Sequence, residues 1–347
     1  MTGIGLSVPF TSYRLAAHRD VLSEAVDLGY TSAWSSESNA TDALTPLAMA
    51  AAWQPGLALG AAVVPAQTRG PAVLAQGFAA LAEATPSRVV AGVGASTPVV
   101  VQDWNDTAFV RPYQRVRDTV RYLRAVLAGE KVIAEYETFT VNGFRLLRPP
   151  RRVPSIMVAA GRPGMLRLAG READGAIINW VSPEDVAQIS PIVAGAAGPA
   201  GSELVARLFV CPTADSATVR DSLRPFLAQY VTPPGHRDFH EWIGRGDRLR
   251  EVFRLWDCGE RRQAAAAFPD AVIDEIVVHG PPGACRERLQ SYLDAGLSGA
   301  TLVPLGITMD EATAMRRLGP VGSFTMPARV VAAPPQFPVP SLPSQPA

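Results

Sequence analysis

Residues 156–166 read Ile-Met-Val-Ala-Ala-Gly-Arg-Pro-Gly-Met-Leu, and this run contains the clearest structural signal in the chain. An apolar stretch typical of a buried strand changes through Ala159, Ala160 and Gly161 into a stretch typical of a helix. Small residues at such a turn let a ligand approach the backbone, and the first N–H groups of a helix attract anions. Arg162 adds a permanent positive charge with a planar set of donors. We therefore predict that Ala160, Gly161 and Arg162 bind a phosphate or another anion.

The same alternation of strand and helix extends along most of the chain. Each predicted strand is short and apolar on both faces, as in a parallel sheet that helices cover. Eight such strands separated by helices fit an α/β fold of the (β/α)8 TIM barrel type, with insertions at the C-terminal face, better than an open sheet. The predicted strands are residues 3–9, 31–35, 57–64, 89–93, 155–159, 175–178, 203–210 and 300–303.

Residues 130–148 interrupt this alternation. They predict an excursion with a small hairpin, in which residues 136–141 form a strand and Asn142-Gly143 forms the turn. Helical spacing of apolar residues elsewhere predicts the helices that cover the barrel. These helices are residues 15–28, 42–53, 71–85, 112–127, 217–230 and 282–295.

The domain organisation follows from the remaining segments. Residues 232–270 predict a helical insertion and not a separate domain. We therefore predict a single barrel domain over residues 1–326. Residues 327–347 are rich in Pro and Ser, which predicts an extended or disordered tail.

Charge and cysteine content exclude several classes of partner. The chain has 32 basic and 32 acidic residues and no basic stripe that suggests nucleic acid or an anionic membrane. It has no signal-peptide pattern and no apolar run long enough to cross a bilayer, so we expect a cytoplasmic protein. Cys211, Cys258 and Cys285 are far apart and lack the spacing of zinc ligands, so we expect reduced thiols and no metal.

Several stretches of the sequence carry a family likeness through their order and spacing, although each alone is weak. They are residues 34–37 with 42–47, residues 60–65 with 69–72, residues 88–94 with 96–98 and 104–105, residues 159–175, and residues 278–281. Together they resemble the bacterial-luciferase-like superfamily of luciferase-like monooxygenases. The resemblance is to its branch of oxidoreductases that use the deazaflavin coenzyme F420, and it spans residues 1–306.

The resemblance implies a barrel whose C-terminal mouth holds a flavin-type ring, with insertions that form the substrate pocket. It also implies a non-prolyl cis peptide behind the ring, near Ala62-Val63. The small residues 60–62 agree with this, because backbone without bulk can lie against a flat ligand. The cofactor-binding candidates are Ser36, Ala62, Val63, Gly94, Ala160, Gly161, Arg162 and Asn179.

Two residues are candidates for catalysis. Glu37 follows strand two on the catalytic face and matches the acidic position that contacts the ring in relatives. It has an alternative interpretation as a helix N-terminal charge or as the partner of an arginine. His279 precedes a Gly-Pro turn near the barrel mouth and is expected to face the cofactor or substrate. Ser38 stands where several relatives carry a catalytic histidine, so the proton donor stays open.

Two further histidines, His236 and His240, lie four residues apart in the helical insertion. This spacing would place both rings on one face of a helix, as in some metal sites. No third ligand lies nearby in the sequence, so we expect packed or solvated histidines instead.

The leading hypothesis is an oxidoreductase that transfers hydride between coenzyme F420 and an unknown organic substrate. The close alternative is an FMN-dependent flavin monooxygenase, because the same fold holds either ring. A cofactor-binding protein without turnover also stays open, as does a barrel lyase or hydrolase that acts on a phosphorylated substrate. Relatives commonly form dimers, so we expect a homodimer with a small-molecule substrate.

Overall fold

Parallel β-strands form the centre of the fold. The computed structural model describes residues 3–199 and 201–325. Within these residues, eight parallel strands pair side by side and close into a barrel. In chain order the strands are β1 (Gly3–Ser7), β2 (Ser32–Ser35), β3 (Ala58–Ala61), β4 (Val64–Pro65), β5 (Val89–Gly94), β6 (Val132–Glu135), β7 (Thr140–Phe144), β8 (Ser155–Ala159), β9 (Gly175–Asn179), β10 (Glu203–Cys211), β11 (Val277–His279) and β12 (Gly299–Pro304).

The order of strands around the barrel is β1, β2, β3, β5, β8, β9, β10 and β12, and β12 pairs with β1 to close the ring. These are the eight strands that the sequence predicts, so the (β/α)8 barrel is confirmed. Strand β10 lies opposite β3, because four steps around the ring separate the two in either direction. The short strand β11 pairs with the end of β10, and β4 pairs with β5.

Helices cover the outside of the barrel. Many begin with a proline in their first turn, where the missing N–H costs no hydrogen bond and the fixed φ suits a helix. In the described part of the chain, no helix has the length and apolar character of a membrane span. The helices are α1 (His18–Asp27), α2 (Leu44–Trp53), α3 (Pro71–Ala84), α4 (Pro112–Leu127), α5 (Pro163–Glu172), α6 (Pro183–Ala196), α7 (Ser216–Val231), α8 (Pro234–Trp242), α9 (Gly246–Asp257), α10 (Arg261–Ala266), α11 (Asp270–Ile276), α12 (Pro282–Asp294) and α13 (Glu311–Arg317).

The predicted third strand is interrupted. Strand β3 ends at Ala61, the peptide bond between Ala62 and Val63 is cis, and the chain resumes as β4. The cis bond lies where the family resemblance implies it. Gly92 of β5 makes room for this segment, because a Cβ atom at Gly92 would lie 1.9 Å from the carbonyl oxygen of Ala61.

The predicted hairpin exists, but its predicted turn is wrong. Strands β6 and β7 are joined by residues 136–139, and Asn142-Gly143 lies inside β7. The carboxylate of Asp118 on α4 accepts hydrogen bonds from the backbone N–H and hydroxyl of Thr138, at 3.0 and 2.9 Å. These tertiary contacts hold the turn at 136–139 and outweigh the local preference of Asn-Gly for a turn.

The insertion at residues 232–270 forms α8, α9 and α10, and α11 follows it. Together with α7 these helices enclose a second apolar core, which includes Leu227, Val252 and Phe268. Arg245 joins the insertion to the barrel, since its buried guanidinium forms ion pairs with Asp185 and Glu275. The predicted tail at residues 327–347 lies outside the described residues.

Candidate active site

A cavity of about 670 Å³ opens where the barrel strands end. Its walls include residues that follow the carboxyl ends of β2, β3, β5, β8 and β9, together with side chains of β10 and α8. This volume lies within the range of pockets that hold small organic ligands and cofactors. The C-terminal face is also where barrel enzymes carry their active sites.

The floor of the cavity is an apolar layer inside the barrel. Its buried residues come from five of the barrel strands and include Trp34, Val90, Met157, Ile177 and Val205. Ala62, at the cis peptide, belongs to the same layer and also lines the cavity. The backbone of the interrupted third strand therefore meets the cavity directly, with little side-chain bulk over it.

Most of the predicted site residues lie together in this cavity. Those that line it are Ser36, Glu37, Ala62, Val63, Ala160, Gly161, Arg162 and Asn179. They come from the ends of four strands, β2, β3, β8 and β9, and the closed barrel brings these ends to one face. Gly94 and His279 do not line the cavity.

Gly94 lies behind the cavity wall. A Cβ atom at this position would lie 2.8 Å from Cγ2 of Val63 and 2.9 Å from Cβ of Ala159. Any side chain would therefore push against Val63, which does line the cavity. The lack of a side chain at Gly94 therefore sets the position of the cavity wall through packing.

His279 occupies a separate polar cluster. Its Nδ1 lies 3.0 Å from the hydroxyl of Ser216, and its Nε2 lies 2.8 Å from the carboxylate of Asp274. Arg220 binds the same carboxylate through two N–H groups, each at 2.8 Å. Both ring nitrogens of His279 are thus engaged outside the cavity, and we leave His279 out of the site proposed below.

The turn at residues 160–162 borders the cavity at the start of α5. Ala160 donates its N–H to the carbonyl oxygen of Ile177 at 3.0 Å, which ties the turn to β9. The N-cap residue Arg162 makes no side-chain capping hydrogen bond, so its side chain leaves the first N–H groups of α5 uncapped. Its guanidinium instead pairs with Asp238 on α8.

Helix α8 closes over this turn. A Cβ atom at Gly161 would lie 3.2 Å from the ring of Phe239, which is tighter than an ordinary van der Waals contact. The absence of a side chain at Gly161 therefore lets α8 and the turn lie close together. It also leaves the backbone of the turn open to the cavity.

Glu37 lines the cavity but has a strong partner. Nη2 of Arg69 lies 3.1 Å from each carboxylate oxygen, and the N–H of Ala43 donates to Oε2 at 3.1 Å. The backbone N–H of Glu37 donates to the carbonyl oxygen of Val63 at 3.2 Å. Both sequence interpretations of Glu37 therefore describe it in part: it borders the cavity, and it is the partner of an arginine.

Aromatic side chains form one wall of the cavity, and they were not predicted as site residues from the sequence. Trp180 stacks on Phe209 with ring centroids 3.6 Å apart, and Tyr230 lies 5.1 Å from Trp180. The amide of Asn179 donates to the hydroxyl of Tyr230 at 2.8 Å. No local pattern singles out these aromatics, because the same residue types form ordinary core elsewhere in the chain.

His236 and His240 also line the cavity, and among the described residues no cluster could hold a metal ion. Nδ1 of His236 donates to the carbonyl oxygen of Tyr230 at 2.6 Å, and its ring stacks on Tyr230. Burial lowers the pKa of His236. Burial, with smaller contributions from Arg245 and His236, lowers the pKa of His240 to about 3. Both rings are therefore neutral at pH 7, and their contacts with Tyr230 and Phe239 agree with the expectation of packed histidines.

A family model described as luciferase-like monooxygenase matches residues 3–299, which is most of the chain. The chain belongs to the luciferase-like monooxygenase family. The barrel, the cis peptide and the cavity at the strand ends are thus features of a luciferase-like protein, as the sequence resemblance implies.

Relatives of this luciferase-like chain are named as oxidoreductases. A Mycobacterium tuberculosis protein named as a coenzyme F420-dependent oxidoreductase is 26% identical over 307 residues, with 81% of this chain and 88% of the relative covered. The solved structure of a coenzyme F420-dependent tetrahydromethanopterin reductase from Methanopyrus kandleri has a TM-score of 0.72 at 19% identity, over 92% of this chain and 97% of that one.

Flavin enzymes share the same fold. The oxygenating constituent of 3,6-diketocamphane monooxygenase from a Pseudomonas putida plasmid, solved with FMN, has a TM-score of 0.64 at 15% identity. It covers 95% of this chain and 100% of its own. At such low identity both structural likenesses concern the fold and leave the choice of ring open.

Proposed function

We propose that this chain is an oxidoreductase that transfers hydride between coenzyme F420 and an organic substrate. One observation carries the proposal: a single cavity joins a bare backbone wall at Ala62-Val63 to an uncapped helix start at residues 160–163. A flat ring with an anionic tail needs both features. The relative from Mycobacterium tuberculosis, named as F420-dependent, supports the choice of ring.

The residues present fit such a group. Gly161 leaves the backbone of the turn without a side chain, and the first N–H groups of α5 are suited to an anion. Arg162 adds positive charge nearby, although Asp238 partly neutralises it. The apolar floor and the cis segment offer a flat surface of low polarity to a ring.

When bound, coenzyme F420 supplies or accepts the hydride. The chain's own part is to bind, orient and exclude water. The α5 start and Gly161 hold the charged tail, and Ala62 and Val63 support the ring. The aromatic wall around Trp180 excludes water, since it is apolar and closely stacked. His236 donates from Nδ1, so its Nε2 is the atom that we assign to accept the proton that a substrate O–H or N–H would lose when the adjacent carbon gives up hydride.

Binding of the purified protein to each coenzyme tests the proposal. We expect F420 to bind at least about tenfold more tightly than FMN, a difference of about 1.4 kcal/mol. Quenching of coenzyme fluorescence measures both dissociation constants under one set of conditions. A yellow protein that releases FMN on denaturation would contradict the proposal and favour the flavin monooxygenase. Tight F420 binding without hydride exchange over a broad substrate panel would favour a binding protein without turnover.

Glu37 is proposed as a positioning residue that acts through Arg69. Both of its oxygens face Nη2 of Arg69, and its backbone is bound to Val63 at the ring wall. Loss of the ion pair would release the segment from Glu37 to Ala43, which borders the cavity. The residue would then affect the coenzyme by holding the wall in place and not by direct contact.

Glu37→Gln is expected to weaken F420 binding about tenfold and to lower the free energy of unfolding by about 1 kcal/mol, as for a half-buried pair. Arg69→Met is the companion variant, because it removes the same pair from the other side, together with the longer contact between Arg69 and Asp42 at 3.6 Å. Equal losses of affinity in the two variants support a positioning role. A much larger loss in Glu37→Gln alone would mean that the carboxylate touches the ring. Coenzyme titrations and urea unfolding measure both quantities.

A further inference from the structure

Arg207 projects into the mouth of the barrel. It lies on β10 two residues after Val205, a member of the apolar layer inside the barrel, so both side chains point to the same face of the strand. Its Cα pairs in register with Asn179 on β9 and with Thr301 on β12. Arg207 lines the cavity, beside Asn179.

Among the described residues, Arg207 has no carboxylate partner, whereas each of the other charged side chains of the cavity wall has an ion-pair or hydrogen-bond partner. Glu37 is paired with Arg69, and Arg162 is paired with Asp238. The carboxylate of Glu311 accepts hydrogen bonds from Thr11 and Ser12. The Nε of Arg207 is buried without a hydrogen-bond partner. Within the described part of the chain, the guanidinium of Arg207 therefore faces the cavity without an ion pair or a side-chain hydrogen bond.

The surroundings of Arg207 make an unmatched charge costly. Its Cζ lies over the ring of Phe209, 5.6 Å from the centroid, and that ring stacks on Trp180, so a cation–π contact offsets only part of the cost of desolvating the charge. The phenol of Tyr230 lies near enough to interact with the charge of Arg207, but its hydroxyl already accepts a hydrogen bond from Asn179. A guanidinium stays charged in proteins, and an unpaired charge near apolar walls is unfavourable until an anion binds it.

The order of the strands places Arg207 across the barrel from the proposed position of the coenzyme ring. Strand β10 lies opposite β3, whose end carries the backbone wall proposed to support the ring. A ring on that wall would turn its free face toward Arg207. The space between them is bordered by the aromatic side chains Phe209 and Phe226.

We propose that Arg207 binds the carboxylate of an organic-acid substrate, with the apolar body of the acid against the aromatic wall. A planar carboxylate matches the paired N–H donors of a guanidinium. The orientation of the acid toward the ring rests on the proposed function. The anion site rests only on Arg207 and its surroundings, so the two can fail separately.

Benzoate and its neutral counterpart benzamide are the probes, titrated calorimetrically into the purified protein without coenzyme. Wild type is expected to bind benzoate at least about tenfold more tightly than benzamide, within the range for a charge-assisted hydrogen bond. Arg207→Met should remove the preference, and Arg207→Lys should keep part of it. The control Arg250→Met changes an exposed arginine on α9, outside the cavity, and should behave as wild type. No preference in wild type, or a preference that survives in Arg207→Met, would overturn the proposal.

Two further measurements on the same proteins separate the possible failures. Without ligand, Arg207→Met should melt at a higher temperature than wild type, because it removes a charge that has no partner. A lower melting temperature together with lost benzoate binding would mean that the fold needs this arginine, and it would overturn the proposal. F420 affinity should change less than about threefold in Arg207→Met. A tenfold loss would assign Arg207 to the coenzyme and not to a substrate. Failure of wild type to bind F420 would end the proposed function and leave the benzoate result valid.

Discussion

Gly161→Val is expected to weaken F420 binding by about 100-fold, or nearly 3 kcal/mol, while the protein still folds. A Cβ atom at Gly161 would already press on the ring of Phe239 at 3.2 Å. The two methyl groups of valine must therefore occupy the open side of the turn, where the charged tail of the coenzyme is proposed to approach. The loss corresponds to the charge-assisted hydrogen bonds that the blocked N–H groups would otherwise make.

Gly283→Val is the matched control for this variant. Gly283 follows a proline in the first turn of α12, and a Cβ atom there has no heavy atom within 4 Å. It does not line the cavity, so F420 affinity should stay within about threefold of wild type. Coenzyme fluorescence titrations compare the two variants, and thermal melts confirm that both are folded. Unchanged affinity in Gly161→Val would remove the proposed anion site at this turn.

His240 is expected to make the protein less stable in mild acid. Its pKa is about 3 in the folded protein, chiefly through burial, against an ordinary value of 6.5. Between these values the unfolded chain holds a proton that the folded chain does not. The stabilising contribution is therefore complete above pH 6.5 and decreases as the pH falls toward 3. From pH 7 to pH 5 the loss from this group is about 2 kcal/mol.

His240→Leu should remove this part of the pH dependence. Urea unfolding of wild type and variant at pH 7 and pH 5 gives four free energies of unfolding, and the difference of differences isolates His240. Other buried histidines, such as His18 and His236, have lowered pKa values and contribute to both proteins alike. A pH dependence that is the same in wild type and His240→Leu would show that the ring is protonated, or solvated, in the folded state.

The sequence predicted the barrel well because its signals are local. Apolar runs bounded by Gly and Pro mark strands and helices whatever lies elsewhere in the chain. The Asn142-Gly143 turn was mispredicted for the opposite reason, since Asp118 on a distant helix holds Thr138 and moves the turn. His279 was expected to face the cofactor or substrate, but it ends the short strand β11, and Ser216 and Asp274 engage its ring away from the cavity.

One signal for the cavity was present in the sequence and was missed. Arg207 is a charged residue within the otherwise apolar residues 204–211, and a charge in a buried strand is rare unless it is paired or functional. The residues that α8 contributes to the cavity wall carried no such signal in the sequence. Phe239 and His240 fit an amphipathic helix equally well, and only the docking of α8 against the turn at Gly161 brings them to the cavity.

The sequence by itself determined the alternation of strand and helix, the small-residue turn at residues 159–161 and the family. These depend on neighbours along the chain, whose spacing and turn chemistry act within a few residues. Only the tertiary structure decided which charged side chains form ion pairs. Glu37 meets Arg69, and Arg162 meets Asp238, across long separations in sequence. Closure of the barrel sets these pairs, and it leaves Arg207 facing the cavity without a counter-charge among the described residues.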